Sequence, residues 1–158
     1  MSNFVHNRQI GDKGESFTYG HLLTKYGRAA LQSVEEYHPA GFRWKNRRLP
    51  DFLLTEPDKK TLIEVKCKQG WQGKMNIDAA QVVDYLHVAD IKGYDFYLLF
   101  FFMQDNTIYK FTPEHLKNPT DKFTDRKGNL VYLYDTEGKE KIFERLPSSI
   151  FNSDILRG

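Results

Sequence analysis

Apolar and polar residues alternate most clearly over Thr61-Leu62-Ile63-Glu64-Val65-Lys66-Cys67-Lys68, which predicts a strand with Ile63, Val65 and Cys67 on one face and Glu64, Lys66 and Lys68 on the other. Phe52 to Thr55 predicts a strand just before it, and the turn Glu56-Pro57-Asp58-Lys59-Lys60 joins the two as a hairpin. The unbroken apolar run Tyr97 to Met103 reads as a buried strand over 96–103, followed beyond Gln104-Asp105-Asn106 by another over 107–112. A further strand is predicted over 31–37, and 39–48 as a loop or twisted hairpin edge. Helical spacing marks 13–26, with Phe17, Leu22, Leu23 and Tyr26 facing the core, Asp12 as cap, Glu15 three residues on and Gly27 as stop. A second helix is predicted over 76–91, ending near Gly93, after a flexible glycine-bearing loop over 69–74. Pro113 opens a helical turn, 118–129 reads as polar and mobile, and 131–134 with 141–144 as a hairpin turning at Glu137-Gly138. The expected order is α-β-β-β-α-β-β plus a tail: one α/β domain over 1–158, with its core at about 11–112 and a polar loop and tail over about 113–158.

Composition narrows this picture. Twelve Phe, nine Tyr and two Trp in 158 residues supply a sizeable core. A net charge of +2 is too mild to argue for nucleic acid by itself, so any DNA contact must come from locally grouped basic residues. The single cysteine, Cys67, excludes an internal disulfide and a cysteine-built zinc site, which suits a reducing cytoplasm. The first seven residues lack the apolar core of a signal peptide, and no apolar run is long enough to span a bilayer, so no membrane is expected. The five histidines show no metal-ligand spacing.

The candidate chemistry lies on the 61–68 strand. Glu64 and Lys66 share a face about 6–7 Å apart, a gap that can hold a phosphate and a metal ion. Asp51 opens the preceding strand and can approach Glu64 if the two strands pair. Adjacent carboxylates repel unless a cation sits between them, and hard oxygen ligands of this kind suit Mg²⁺. The Val65 carbonyl is a further candidate ligand. The metal would polarise a phosphate and activate a bound water, with Lys66 orienting that water and stabilising charge on the phosphate. The bland alternatives are a turn-capping Asp51 and a solvated Glu64–Lys66 ion pair worth under about 1 kcal/mol. The second fits poorly with a strand flanked by apolar sequence.

Leu49-Pro50-Asp51 followed by Leu62-Ile63-Glu64-Val65-Lys66 resembles the motif of the PD-(D/E)xK nuclease superfamily. The resemblance runs from about Gly11 to Thr112. It implies a restriction-endonuclease-like α-β-β-β-α-β core with a central mixed sheet flanked by helices. It also gives Glu15, after Gly14, and Gln81, four residues before Tyr85, as catalytic candidates beside Asp51, Glu64 and Lys66. Glu15 has a rival role in a capping box with Asp12, and Gln81 as a merely exposed helix residue. The small size and layout look most like the Holliday-junction resolvases of bacteria, archaea and phages, and 96–116 resembles the end of the bacterial resolvase domain. The implied protein is an Mg²⁺-dependent DNA endonuclease, with Mn²⁺ able to substitute. Such enzymes act in recombination, repair or phage DNA processing, and a homodimer is plausible because two strands need two cuts. Rival readings are a restriction-type or exonuclease activity on duplex, a non-catalytic DNA-binding module with the same fold, and an RNA nuclease. Candidate DNA contacts are Arg43, Lys45, Arg47 and Arg48 around Trp44, then Lys68, Lys74 and Trp71; the last can stack on an unpaired base or plug the core.

Overall fold

In the computed structural model, residues 3–41, 43–137 and 139–143 are described, with the side chains of 3–14 and 142–143 left aside. The elements are α1 (Asn3–Tyr26), β1 (Leu31–Ser33), α2 (Val34–Tyr37), β2 (Arg43–Trp44), β3 (Arg47–Arg48), β4 (Phe52–Thr55), β5 (Lys60–Lys68), β6 (Met75–Asp78), α3 (Ala79–Lys92), β7 (Asp95–Phe102), β8 (Thr107–Phe111), α4 (Pro113–Lys117), β9 (Asp121–Thr124), β10 (Leu130–Tyr134) and β11 (Glu140–Phe143). Six strands form the central sheet in the order β1-β4-β5-β7-β8-β11. It is mixed: β5 and β7 run parallel, and every other neighbouring pair is antiparallel. Parallel neighbours need a long crossover, and α3 supplies it.

Two apolar clusters sandwich the sheet. On one face α1 brings Leu22, with Phe17, Leu23 and Tyr26 half-buried, onto Phe52, Leu54, Ile63, Val65, Leu99 and Phe101. On the other face α3 brings Val82, Tyr85, Val88 and Ala89 onto Leu53, Leu62, Phe96, Leu98 and Phe100. The expected alternation along β5 therefore holds, and Glu64 and Lys66 lie on the face that α3 covers. The β4–β5 hairpin pairs Phe52 with Ile63, so Asp51 falls level with Glu64 just before β4 starts.

Several expectations are corrected. The first helix begins at Asn3, not near Lys13, so Asp12 is interior to it and cannot be its cap. A cap needs non-helical backbone, and nothing in 3–12 stops the helix. The 31–37 strand breaks after Ser33, because Glu36 accepts from the Ser33 N–H and Oγ (both 3.2 Å) and starts the short α2. Residues 76–78 are strand rather than helix: β6 pairs with β10, burying Met75 and Ile77, and Asp78 stands at the N-cap of α3. The segment expected to be mobile contains β9, paired with β10. The 131–134/141–144 hairpin does not form; β10 joins β6 and β9 in a three-stranded sheet, whereas β11 extends the central sheet beside β8. The apolar face shared by Met75, Ile77, Tyr132 and Tyr134 closes the core beneath α3, which a local hairpin would leave open. Gly138 and Glu144, named for that hairpin, lie outside the described residues. Within the 39–48 segment, 43–48 form a hairpin with Lys45 (φ 52°) and Asn46 (φ 63°) in the two-residue turn that matches strand twist. Among the described residues no helix is long and apolar enough to cross a membrane.

Candidate active site

Beyond the start of β4, β5 loses its antiparallel partner, and the Asp51 side chain takes the partner's place. Its Oδ2 accepts the Val65 N–H at 2.9 Å, and the Asp51 N–H donates to Glu64 Oε1 at 3.1 Å. A strand residue presents its N–H and C=O along the same edge, so the Val65 carbonyl also faces Asp51. Glu64 is 4% exposed and carries a second set of donors on Oε2: the Tyr85 hydroxyl at 2.8 Å and the Lys66 ammonium at 3.3 Å. A buried carboxylate with this many donors is held in one orientation.

The chain entering this corner is fixed from behind. The Val34 N–H at the start of α2 donates to the Asp51 carbonyl at 2.8 Å, and the Tyr37 hydroxyl donates to the Pro50 carbonyl. Sequence reading missed this support, because α2 was read as strand. The sequence likewise gives Tyr85 no role at the site. The only signal was the four-residue spacing from Gln81, which puts both on one helix face.

Burial, then the Glu64 charge and then that of Glu15, push the Asp51 carboxyl up to about 9. Two carboxylates this close favour either a shared proton or a cation between them. Tyr37 and Tyr85 are pushed up by burial and by these same charges. Glu15 comes from α1, across the sheet, and its charge reaches both Asp51 and Cys67; burial, then Glu15, raises the Cys67 thiol to about 12.

The donor set suits a hard divalent cation: two carboxylates and a main-chain carbonyl, with water completing the shell. Among the described residues no group of three or more His, Cys, Asp or Glu gathers as a ready-made cage, so a site here would rest on Asp51, Glu64 and Val65 and stay rich in water. Gln81, in the first turn of α3, has its buried Oε1 without a hydrogen-bond partner, and so does Asn76 Oδ1 on β6. Such orphaned oxygens are normally satisfied by water or an ion.

The remaining candidates lie around this centre. Lys68, two residues past Lys66, donates to the Asn76 carbonyl at 3.2 Å, and burial followed by the Lys66 charge lowers its ammonium to about 8. The β2–β3 hairpin docks on α3 through Asp84, which lies 3.7 Å from Arg47 and accepts the Arg48 N–H at 3.1 Å. Arg48 is near enough for its charge to act on Tyr85. Lys45 and Lys92 cover the Trp44 ring at 4.7 and 4.3 Å. Arg43 is exposed on β2. Lys74 lies 3.9 Å from Asp135. Trp71 does not plug the core; it is 41% exposed and stacks on Phe123. A groove of about 480 Å³, lined by Thr61, Leu86, Tyr94, Phe96 and Lys110 among others, has none of the candidate carboxylates in its wall.

No family model and no curated protein matches the chain. Among solved structures it is similar to a Holliday junction resolvase from the archaeal hyperthermophile Archaeoglobus fulgidus, at 18% identity and a TM-score of 0.51, over 82% of this chain and 92% of that one. At this identity the likeness is one of fold alone.

Proposed function

We propose that this chain is a divalent-metal-dependent DNA endonuclease that hydrolyses phosphodiester bonds, structure-specific in the manner of a Holliday-junction resolvase. The observation that carries the reading is the meeting of Asp51 and Glu64 against Lys66 at the start of β4, with the Asp51 carboxylate on the Val65 N–H and Glu64 on the Asp51 N–H. Asp51, Glu64 and the Val65 carbonyl would hold Mg²⁺, or Mn²⁺ in its place. When bound, such an ion polarises a phosphate oxygen and lowers the pKa of a coordinated water.

The chain's own groups account for the rest. Tyr85 and the Asp51 N–H orient Glu64. Lys66 places a cation 3.3 Å from Glu64, where it can stabilise negative charge gathering on the phosphate. Gln81, on the face of Tyr85, has a buried amide oxygen available to a water. Glu15 adds negative charge from across the sheet. Arg43, Lys45, Arg47, Arg48, Lys68 and Lys74 would contact backbone phosphates. The reading takes 1–158 as one domain working as a homodimer in the cytoplasm, each copy cutting one strand.

The test is cleavage of duplex, single-stranded, flap and four-way oligonucleotides. Cutting is expected in Mg²⁺ and Mn²⁺ but not in EDTA, with the four-way substrate preferred. Asp51→Ala and Glu64→Ala should abolish it while binding persists. Near wild-type cutting by either variant, or in EDTA, would sink the metal site. A preference for matched duplex would move the reading to a restriction-type or exonuclease activity.

A further inference from the structure

We propose that Trp71, stacked on Phe123, is a platform for an unpaired base of the nucleic acid strand bound at Glu64 and Lys66, and that it lets the chain favour DNA with unpaired nucleotides beside the cut over matched linear duplex. The proposal rests on the nuclease reading and commits it to a substrate class.

Trp71 leaves the end of β5, the strand that carries Glu64 and Lys66. Seven residues at about 3.3 Å each put it no more than about 23 Å from Glu64. That is within one duplex turn of about 34 Å, so a strand engaged at the carboxylates can also reach the indole. The loop expected to be flexible is instead a tight turn. Trp71 and Lys74 exchange both main-chain hydrogen bonds, at 2.8 and 3.0 Å, around Gln72 (φ 51°) and Gly73 (φ 76°). Gly70 (φ 83°) has no room for a Cβ, which would press on the Phe102 ring and come within 2.5 Å of the Lys74 carbonyl. The indole is thus held out on a preformed support.

That support extends below the ring. Phe123 lies 4.3 Å from it at 20° between planes, and β9, which bears Phe123, pairs through β10 to β6, the strand leading into α3. One aromatic face is covered while 41% of Trp71 stays in solvent. Lys74, paired with Trp71 across the same turn, lies 3.9 Å from Asp135. An open aromatic ring with an ammonium group on the same turn is the composition of a single-strand binding surface. Inside an unbroken duplex each base face is already covered by its neighbours, so the base that lies on this ring must be unpaired or stand at a strand end.

The experiment measures binding in Ca²⁺, and separately cutting in Mg²⁺, for a 5′-flap oligonucleotide and its fully matched duplex. Trp71→Ala should weaken flap binding roughly 5- to 100-fold, the loss of one base–aromatic stack, and change duplex binding less than twofold. Trp71→Phe should keep most of the preference, and it preserves the aromatic cover should the alanine variant fold poorly. In a Trp44→Phe background, Trp71 emission should fall on adding the flap and not on adding duplex. Equal weakening on both substrates, or a flap preference intact in Trp71→Ala, overturns the platform. Wild-type protein that cuts flaps while Trp71→Ala retains that preference removes the platform alone. Wild-type protein that neither binds nor cuts these two substrates or a four-way junction removes the nuclease reading as well.

Discussion

Asp51→Asn is expected to stabilise the metal-free protein at neutral pH, although it removes a candidate metal ligand. Burial and the neighbouring carboxylates push the Asp51 carboxyl up to about 9, from an ordinary value of 3.8. Between those values the unfolded chain binds fewer protons than the folded one, so this group's contribution falls as pH rises, by about 1.4 kcal/mol per pH unit. It is intact below about pH 4 and lost as pH passes through 9. At pH 7 the upper bound is about 4 kcal/mol. Asp51 is part-exposed, and solvent screening brings the expected effect to about 2 kcal/mol. Asparagine keeps an oxygen for the Val65 N–H and offers Glu64 an N–H donor in place of the shared proton. Urea or thermal melts in EDTA should show the variant about 4–8 °C more stable than wild type at pH 7.5, with the gap closing near pH 4.5. Added Mg²⁺ should raise the wild-type midpoint and leave the variant's nearly unmoved. Coincident midpoints in EDTA across this range would refute the account of the carboxylate pair.

Tyr85→Phe removes the hydroxyl that donates to Glu64 Oε2 and should cost about 1–2 kcal/mol of stability, with a fall in cleavage that Lys66→Gln exceeds; unfolding curves and single-turnover rates check both. Gly70→Ala should destabilise by about 2 kcal/mol through the crowded Cβ and positive φ, whereas Gly128→Ala, with open space around its Cβ, should cost less in the same melt. Replacing Arg47 and Arg48 together by Ala should flatten the log–log salt dependence of duplex binding by about one to two units without changing sequence preference; because Arg47 is shared with Asp84, Arg48→Ala alone should account for most of it. Glu15→Gln should lower the Asp51 pKa by removing a like charge, seen as a downward shift in the pH at which Mg²⁺ binds; an unmoved midpoint would disconnect Glu15 from the site.

Local pattern alone determined the strand 61–68, its two faces and its hairpin with 52–55, because period-two alternation and a Pro-Asp turn are contained within a dozen residues. From these the approach of Asp51 to Glu64 followed, since antiparallel register makes the two level. The second helix and the strands on either side of the 104–106 turn were legible for the same reason. Its start was not: Met75 and Ile77 fit strand or helix equally well until β10 arrives from more than fifty residues away. Long-range packing likewise separated β10 from β11, set the Tyr85 hydroxyl on Glu64, and placed Phe123 under Trp71. None of these contacts leaves a periodic trace in the sequence, because each depends on which faces remain uncovered once the central sheet has formed. The charge state of Asp51 is of the same kind: sequence reading supplied two carboxylates and the reason they should repel, but only the packed interior, with Glu15 brought across from α1, sets how strongly a proton is held between them.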